Sequence, residues 1–267
     1  MILTISIGND AIRIGLAKGK DLIETWSLAT PYALYPNEAE VMLYDFFAAV
    51  ERRGKCTVAQ IEEEITGSII ASVVPSLLGA CTSAAQKICR QRPLIVGPGL
   101  KTGLKMKYKD PAEIGADRIA NIIGARELFD APFIVVDLGT TTNLSVVDNQ
   151  GVFCGGIIAP GLRLSAEALA KGAAQLVAVD IVAPESVIGK STKDAMRSGI
   201  ILGEVARLDG LIEAIWHELG YETEVVLTGF DAEEIAALSR HAQQIEKKLT
   251  LRGLNELFAM NRLDGNK

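Results

Sequence analysis

Three short stretches combine acids, glycines and hydroxyls at spacings that suit phosphoryl chemistry. In Asp137-Leu138-Gly139-Thr140-Thr141-Thr142 an acid ends an apolar run and is followed by a glycine and three hydroxyls. Backbone N–H groups at such a glycine turn approach phosphate oxygens closely, and short hydroxyls add donors. An earlier stretch, Thr4 to Gly15 (TISIGNDAIRIG), reads as strand, bend and strand, with Gly8-Asn9 at the bend where positive φ is cheapest. It carries Ser6 on its first strand and an acid, Asp10, on the turn. The third stretch, Gly115-Ala116-Asp117-Arg118, opens a helix whose apolar face runs Ile119, Ile122, Ile123. An acid in a first turn serves as a cap or dipole partner. Beside Arg118 it equally suits a carboxylate base next to a guanidinium that grips a substrate carboxylate bidentately.

Apolar β-branched runs alternate with helical periodicity along the whole chain. Strands are expected near 2–7, 11–16, 68–73, 94–96, 133–137, 143–148, 152–157 and 224–228, and helices near 38–53, 76–91, 115–129, 162–171, 192–219 and 231–240. This is the pattern of an α/β protein. The segments ILTISIGNDAIRIGLAKGKDLIETW and FIVVDLGTTTNLSVVDNQGVFCGG share one order: apolar strand, glycine bend (Gly8, Gly139), strand, polar turn, strand. Two such starts predict duplicated halves, divided as 1–117 and 118–267. Gly155 to Leu162 (GGIIAPGL) and Val225 to Phe230 (VVLTGF) read as connections opening toward a site, the second ending at Thr228-Gly229. Each also suits an ordinary strand-to-helix link.

Bulk properties narrow the function classes. With 267 residues, 49% of them hydrophobic and 22% charged, the chain can bury one large core or two moderate ones. The net charge is −6 and the basic residues are scattered, which argues against nucleic acid as a partner. No apolar run reaches membrane-spanning length and the first residues are too strand-like for a signal peptide, so a cytoplasmic location and no membrane partner are expected. Cys56, Cys81, Cys89 and Cys154 form no C-x-x-C pair, and buried free thiols are the expectation.

Several motifs in consistent order carry a family resemblance over almost the whole chain. ASVVPSL, GPGLKTGLKMKYKDPAEIGADRIAN, VVDLGTTT, GGIIAPGLRLSAEAL, VIGKSTKDAMRSGI and LTLRGLNELF resemble the motifs of type III pantothenate kinases. The resemblance implies the acetate-and-sugar-kinase/actin-like fold with two RNase H-like halves, a homodimer, and ATP-dependent phosphorylation of pantothenate at the start of coenzyme A biosynthesis. It implies Asp117 as the base at the pantothenate hydroxyl. Tyr108, Gly115, Ala116, Arg118 and Thr192 resemble the pantothenate pocket, and Asp137 the ligand of an activating monovalent cation (K+ or NH4+). Gly8, Asn9, Gly139, Thr140, Thr141 and Gly229 fall where the family meets ATP.

The nucleotide side departs from the family pattern. Asp-Ile-Gly-Asn-Thr appears here as Ser6-Ile7-Gly8-Asn9-Asp10, so the acid that organises Mg2+ is a serine and the turn hydroxyl is an acid. Thr-Thr-Phe-Asp appears as Thr142-Asn143-Leu144-Ser145, and Thr-Gly-Gly as Thr228-Gly229-Phe230, whose ring would crowd a nucleotide. A carboxylate about 4 Å from a phosphate costs on the order of 4 kcal/mol at an effective dielectric near 20. One missing electrostatic stabiliser lowers a rate by ~10²–10³. Asp10 holding Mg2+ from the turn would be an escape. Three readings stay open: an active kinase, a non-catalytic pantothenate-binding subunit that completes the site of an intact paralogue, and a regulatory protein that keeps the fold alone.

Overall fold

The computed structural model describes residues 1–172, 176 and 179–262. In chain order the strands and helices are β1 (Ile2–Ile7), β2 (Ala11–Lys18), β3 (Asp21–Ala29), α1 (Pro36–Arg52), α2 (Val58–Glu64), β4 (Gly67–Ser72), α3 (Pro75–Cys89), β5 (Leu94–Ile95), β6 (Lys105–Met106) and α4 (Ala116–Arg126). They continue with β7 (Phe133–Leu138), β8 (Thr141–Val147), β9 (Val152–Pro160), α5 (Leu162–Gly172), α6 (Thr192–Arg197), α7 (Gly203–Leu219), β10 (Glu224–Gly229), α8 (Ala232–Ala236), β11 (Gln244–Ile245) and α9 (Leu249–Arg262). The described residues form two compact units, one from 1–104, 109–128 and 248–262, the other from 105–108, 129–172, 176 and 179–247.

In the first unit the strand order is β3-β2-β1-β4-β5, with β1–β2 and β2–β3 antiparallel and β1–β4 and β4–β5 parallel. Leu3, Ile5 and Ile7 alternate with Thr4 and Ser6, so one face of β1 is apolar. That face joins a core with Leu43, Phe46, Phe47 and Val50 of α1 and Leu77 and Cys81 of α3. The buried α1 positions, 39, 42, 43, 46, 47 and 50, follow the spacing of one helical stripe. Helix α2 starts on a reciprocal box in which Thr57 and Gln60 each accept the other's backbone N–H.

The first unit does not end at residue 117, the boundary expected from the repeat. Helices α4 and α9, far apart in sequence, meet through glycines: a Cβ on Gly253 would lie 1.8 Å from the Ala120 carbonyl oxygen, and one on Gly124 2.2 Å from that of Leu249. Thr250 Oγ1 donates to Asn121 Oδ1 at 2.6 Å inside this contact. Close backbone approach therefore ties the last helix to the first unit.

In the second unit the order β11-β10-β7-β8-β9 repeats the first sheet, strand for strand, and β6 adds a sixth strand beside β9. The directions repeat as well: β7–β8 and β8–β9 are antiparallel, β7–β10 and β10–β11 parallel. The expected duplication is thus present in topology. Ile134, Val136, Leu144, Val146, Val225 and Leu227 pack on Leu162, Val205, Leu208, Ile212 and Ile235 from α5, α7 and α8.

Several local expectations change. The segment read as one helix from 192 to 219 is interrupted by a π-helical stretch at Ser198–Leu202. Gly155 to Pro160 continue β9 rather than forming a loop, leaving Gly161 as the connection. Helix α8 is shorter than expected because Asp209 gathers the following loop, accepting from Ser239 Oγ at 2.6 Å and from the Arg240 N–H. Elements β3, α2, β6, β11 and α9 lie beyond the helices and strands expected from periodicity, β3 being foreseen only by the repeated strand order. Of the cysteines, Cys81 and Cys89 are buried, and burial raises both thiols to about 11, while Cys56 and Cys154 are half-buried.

Candidate functional site

The candidate residues of the first unit gather at the carboxyl ends of β1 and β4. Ser6 is the fifth residue of β1, 2% exposed, directly opposite Arg13 on β2 and Ala71 on β4. The bend that follows holds Gly8, Asn9 and Asp10. Neither Gly8 nor Asn9 has positive φ, contrary to the turn expected from sequence. Instead the Gly8 N–H donates to the Ala11 carbonyl at 3.0 Å, and a Cβ on Gly8 would meet that oxygen at 3.1 Å. Thr30 clamps the bend: its hydroxyl donates to the Gly8 carbonyl at 2.6 Å and its N–H to the Asp10 carbonyl at 3.0 Å. Asn9 and Asp10 remain exposed.

Asp117 stands in the first turn of α4, half-buried, with Gly115 as the N-cap and Ala116 buried behind it. Its Oδ1 accepts the backbone N–H of Arg118 at 2.8 Å, one of the free donors of the helix N-terminus. Its second oxygen has no hydrogen-bond partner among the described residues. A Cβ at Gly115 would lie 2.5 Å from Oδ1 and 3.7 Å from Val73 Cγ1, so this position gives the acid room. The Val73 N–H donates to the Ile7 carbonyl, which links the strand end carrying Ser6 to the helix carrying Asp117. Arg118 is 7% exposed.

In the second unit Asp137 is the fifth residue of β7, the register counterpart of Ser6 in β1. Asn143 and Thr228 face it where Arg13 and Ala71 face Ser6. At this register the second copy carries an acid and the first a hydroxyl. The turn itself is Gly139-Thr140, one residue shorter than the first. Gly161 comes so close that a Cβ there would lie 2.1 Å from the Gly139 carbonyl oxygen, and its N–H donates to the Thr140 carbonyl at 3.0 Å. Thr141 Oγ1 accepts from Asn143 Nδ2 at 2.9 Å. Ser145 is buried two pairs farther down β8, opposite Val135.

Two further supports of this turn escaped the sequence reading. Buried Glu204 at the start of α7 accepts from Thr142 Oγ1 at 2.6 Å and pairs with Arg207, which also donates to the Pro160 carbonyl. Burial raises the Glu204 carboxyl, with Asp231 adding to the rise, while Thr142 and Arg207 oppose it. Its sequence signal was an acid four residues before Leu208, on the apolar stripe of the helix. Gly229, at φ +101°, ends β10 against Leu138, and Phe230 follows, 70% exposed.

Tyr108 is half-buried and stacks on Phe153 with centroids 5.7 Å apart and planes 6° from parallel. The neighbouring Lys107 is held by Asp148, to which its Nζ donates at 2.8 Å. Thr192 is the exposed first residue of α6, capped by Ser191, whose hydroxyl accepts the Asp194 N–H. A cavity of about 420 Å³ lies beside that helix, lined by Val182, Ile188, Gly189, Lys190, Asp194 and Arg197.

These donor sets differ in what they can hold. Asp137, Thr228 and Asn143 stand at paired positions of three adjacent strands and carry oxygens, the ligand type that suits hard cations. At the first bend Ser6 is a buried hydroxyl and Asp10 a single exposed carboxylate, a set that would hold Mg2+ only together with water and phosphate oxygens. Among the described residues no group of three or more His, Cys, Asp or Glu side chains is placed to hold a metal.

Two sheets of identical order, each opening with a three-stranded meander and each presenting a glycine bend at the same register, define the duplicated RNase H-like fold of the acetate-and-sugar-kinase/actin class. The solved structures it resembles include a Campylobacter jejuni protein assigned to the Baf family of transcriptional activators (18% identity, TM-score 0.59, covering 98% of this chain and 99% of that one). Another is the activator of the 2-hydroxyisocaproyl-CoA dehydratase from Clostridium difficile with bound ADPNP (10%, TM-score 0.53, 99% and 96%). The sequence profile of the type III pantothenate kinases matches residues 2–214. A type III pantothenate kinase of Shouchella clausii is 39% identical over 98% of this chain and 100% of its own length. The chain belongs to the type III pantothenate kinase family.

Proposed function

We propose that this chain transfers the γ-phosphoryl group of ATP to the 4′ hydroxyl of pantothenate, the opening step of coenzyme A synthesis, and does so slowly on its own. The observation that carries the reading is Asp117: a half-buried carboxylate held through one oxygen by the helix N-terminus, with the other oxygen left to take a proton. Asp117 acts as the base, and Tyr108, Gly115, Ala116, Arg118 and Thr192 recognise pantothenate. Gly139, Thr140 and Thr141 receive nucleotide phosphate, with Gly229 behind them, and Asp137 holds a monovalent cation. Gly8 and Asn9 supply backbone and amide donors from the other bend.

The low rate follows from Ser6, where the strand lacks a carboxylate, and from Asp10, which puts negative charge on the bend. One absent electrostatic stabiliser corresponds to a rate ~10²–10³ lower. Ser6 also favours a second reading, a pantothenate-binding subunit that works in a heteromer with an intact paralogue rather than as a catalytic homodimer. Incubation of the purified chain with pantothenate, ATP, Mg2+ and K+ separates them. The first reading expects phosphopantothenate formation that vanishes in Asp117→Asn. Pantothenate binding without any turnover, with activity appearing only on mixing with an intact homologue, would establish the second.

A further inference from the structure

Phe230 is an exposed aromatic ring at a place where exposure has a physical use. It follows the last residue of β10, and its N–H donates at 2.9 Å to the carbonyl of Leu138, the residue before the Gly139-Thr140 turn. The carboxyl ends of parallel strands such as β7 and β10 are where open α/β sheets bind ligands. One face of the ring is covered by the Arg163 guanidinium at 4.6 Å from its centroid. Arg163 is itself held by buried Asp231, 3.7 Å away, and stands two residues beyond Gly161, the residue pressed against the Gly139 carbonyl. Leu138, Gly139, Gly161, Arg163 and Phe230 thus form a closed circuit of contacts around the turn. The ring is 70% exposed, so its position is held while much of its surface stays open to solvent.

We infer that Phe230, backed by Arg163, is a stacking platform for the planar base of a nucleoside triphosphate whose phosphates lie at the Gly139-Thr140 turn. The inference rests on the nucleotide half of the proposed function and adds a base-recognition residue to it. It reverses the sign expected from sequence, in which the phenyl ring obstructs the nucleotide. A guanidinium on one face fixes a ring electrostatically, and bases stack on such fixed aromatic faces with little sequence preference.

The sign makes the test sharp. The full chain and its Phe230→Leu, Phe230→Trp and Phe230→Gly variants are titrated calorimetrically with Mg·ATP and, separately, with Mg·tripolyphosphate, which has the charge but no base. The inference expects Leu and Gly to weaken ATP binding about 5- to 10-fold, the size of one partly solvated base–aromatic stack. Trp restores it to within about 2-fold, and tripolyphosphate affinity is the same in all four proteins. ATP binding that is unchanged or tighter in Phe230→Gly overturns the platform while leaving nucleotide binding intact. A parallel loss of tripolyphosphate affinity also overturns it, because the ring would then only be shaping the turn. Wild-type protein that binds pantothenate but neither phosphate compound overturns the platform together with the nucleotide half of the proposed function.

Discussion

Moving one negative charge from the first bend back onto β1 should restore Mg·ATP binding. The double variant Ser6→Asp, Asp10→Thr does this with two neighbouring substitutions. Asp10 is exposed, so its repulsion of a phosphate about 4 Å away is near 1 kcal/mol at the dielectric of water rather than the ~4 kcal/mol of a dielectric near 20. A carboxylate at position 6 contributes about 1.5–3 kcal/mol if it makes a charged hydrogen bond to the hydrated metal. Burying it at a site only 2% exposed removes roughly 1 kcal/mol or more. Arg13, directly opposite and without an ion pair among the described residues, offsets part of that loss. The net expectation is Mg·ATP binding tighter by about 10- to 100-fold, with pantothenate affinity unchanged. Calorimetric titration of both ligands measures it, and a thermal melt checks that the variant is folded. A folded double variant with wild-type affinity for Mg·ATP would refute the charge argument at this bend.

Other perturbations test the remaining parts. Asp117→Asn should lower turnover ~10²–10⁴-fold while pantothenate affinity stays within about 3-fold, as for loss of a general base that also shapes its pocket; a modest change in turnover would remove Asp117 from that role. Gly253→Ala puts a methyl group against backbone atoms at 1.8 Å from the Ala120 oxygen, where neither helix can yield by rotating a side chain. It should destabilise by about 3 kcal/mol, lowering Tm by roughly 6–12 °C, and a melt shifted by less than about 2 °C would contradict the close helix contact. Lys107 beside Asp148 holds that carboxyl well below the usual range, against its burial and with help from the Val152 N–H, the Cys154 thiol and the Gln150 N–H. Because the folded value is depressed, its stabilisation is fully present above about pH 4, the unfolded value, and is lost as pH falls below that. The stability gap between wild type and Asp148→Asn should therefore be constant at neutral pH and close on acidification; a gap that persists unchanged to pH 2.5 would sink the assignment.

Local chemistry was legible along the chain wherever residue order alone sets the outcome. Alternation of apolar and small residues defined β1, β2 and β8, a continuous apolar run defined β7, and the 3–4 spacing defined α1 and α4, because these apolar side chains must leave water. The repeated strand–glycine–strand order exposed the duplication, and the motif around Asp117 pointed to a helix N-terminus bearing an acid. Tertiary contact decided the rest. Helix α9 joins the first unit only because Gly124 and Gly253, well over a hundred residues apart, let two backbones touch. Gly8 is needed for closeness to the Ala11 carbonyl rather than for a left-handed φ, which composition does not distinguish. Glu204 and Arg207 become supports of the Thr142 strand once α7 lies across it, and Arg163 comes to cover one face of the exposed Phe230 ring. Periodicity records which side of a segment avoids water, whereas the partner of a buried charge or an open ring is chosen by segments that sequence order keeps apart.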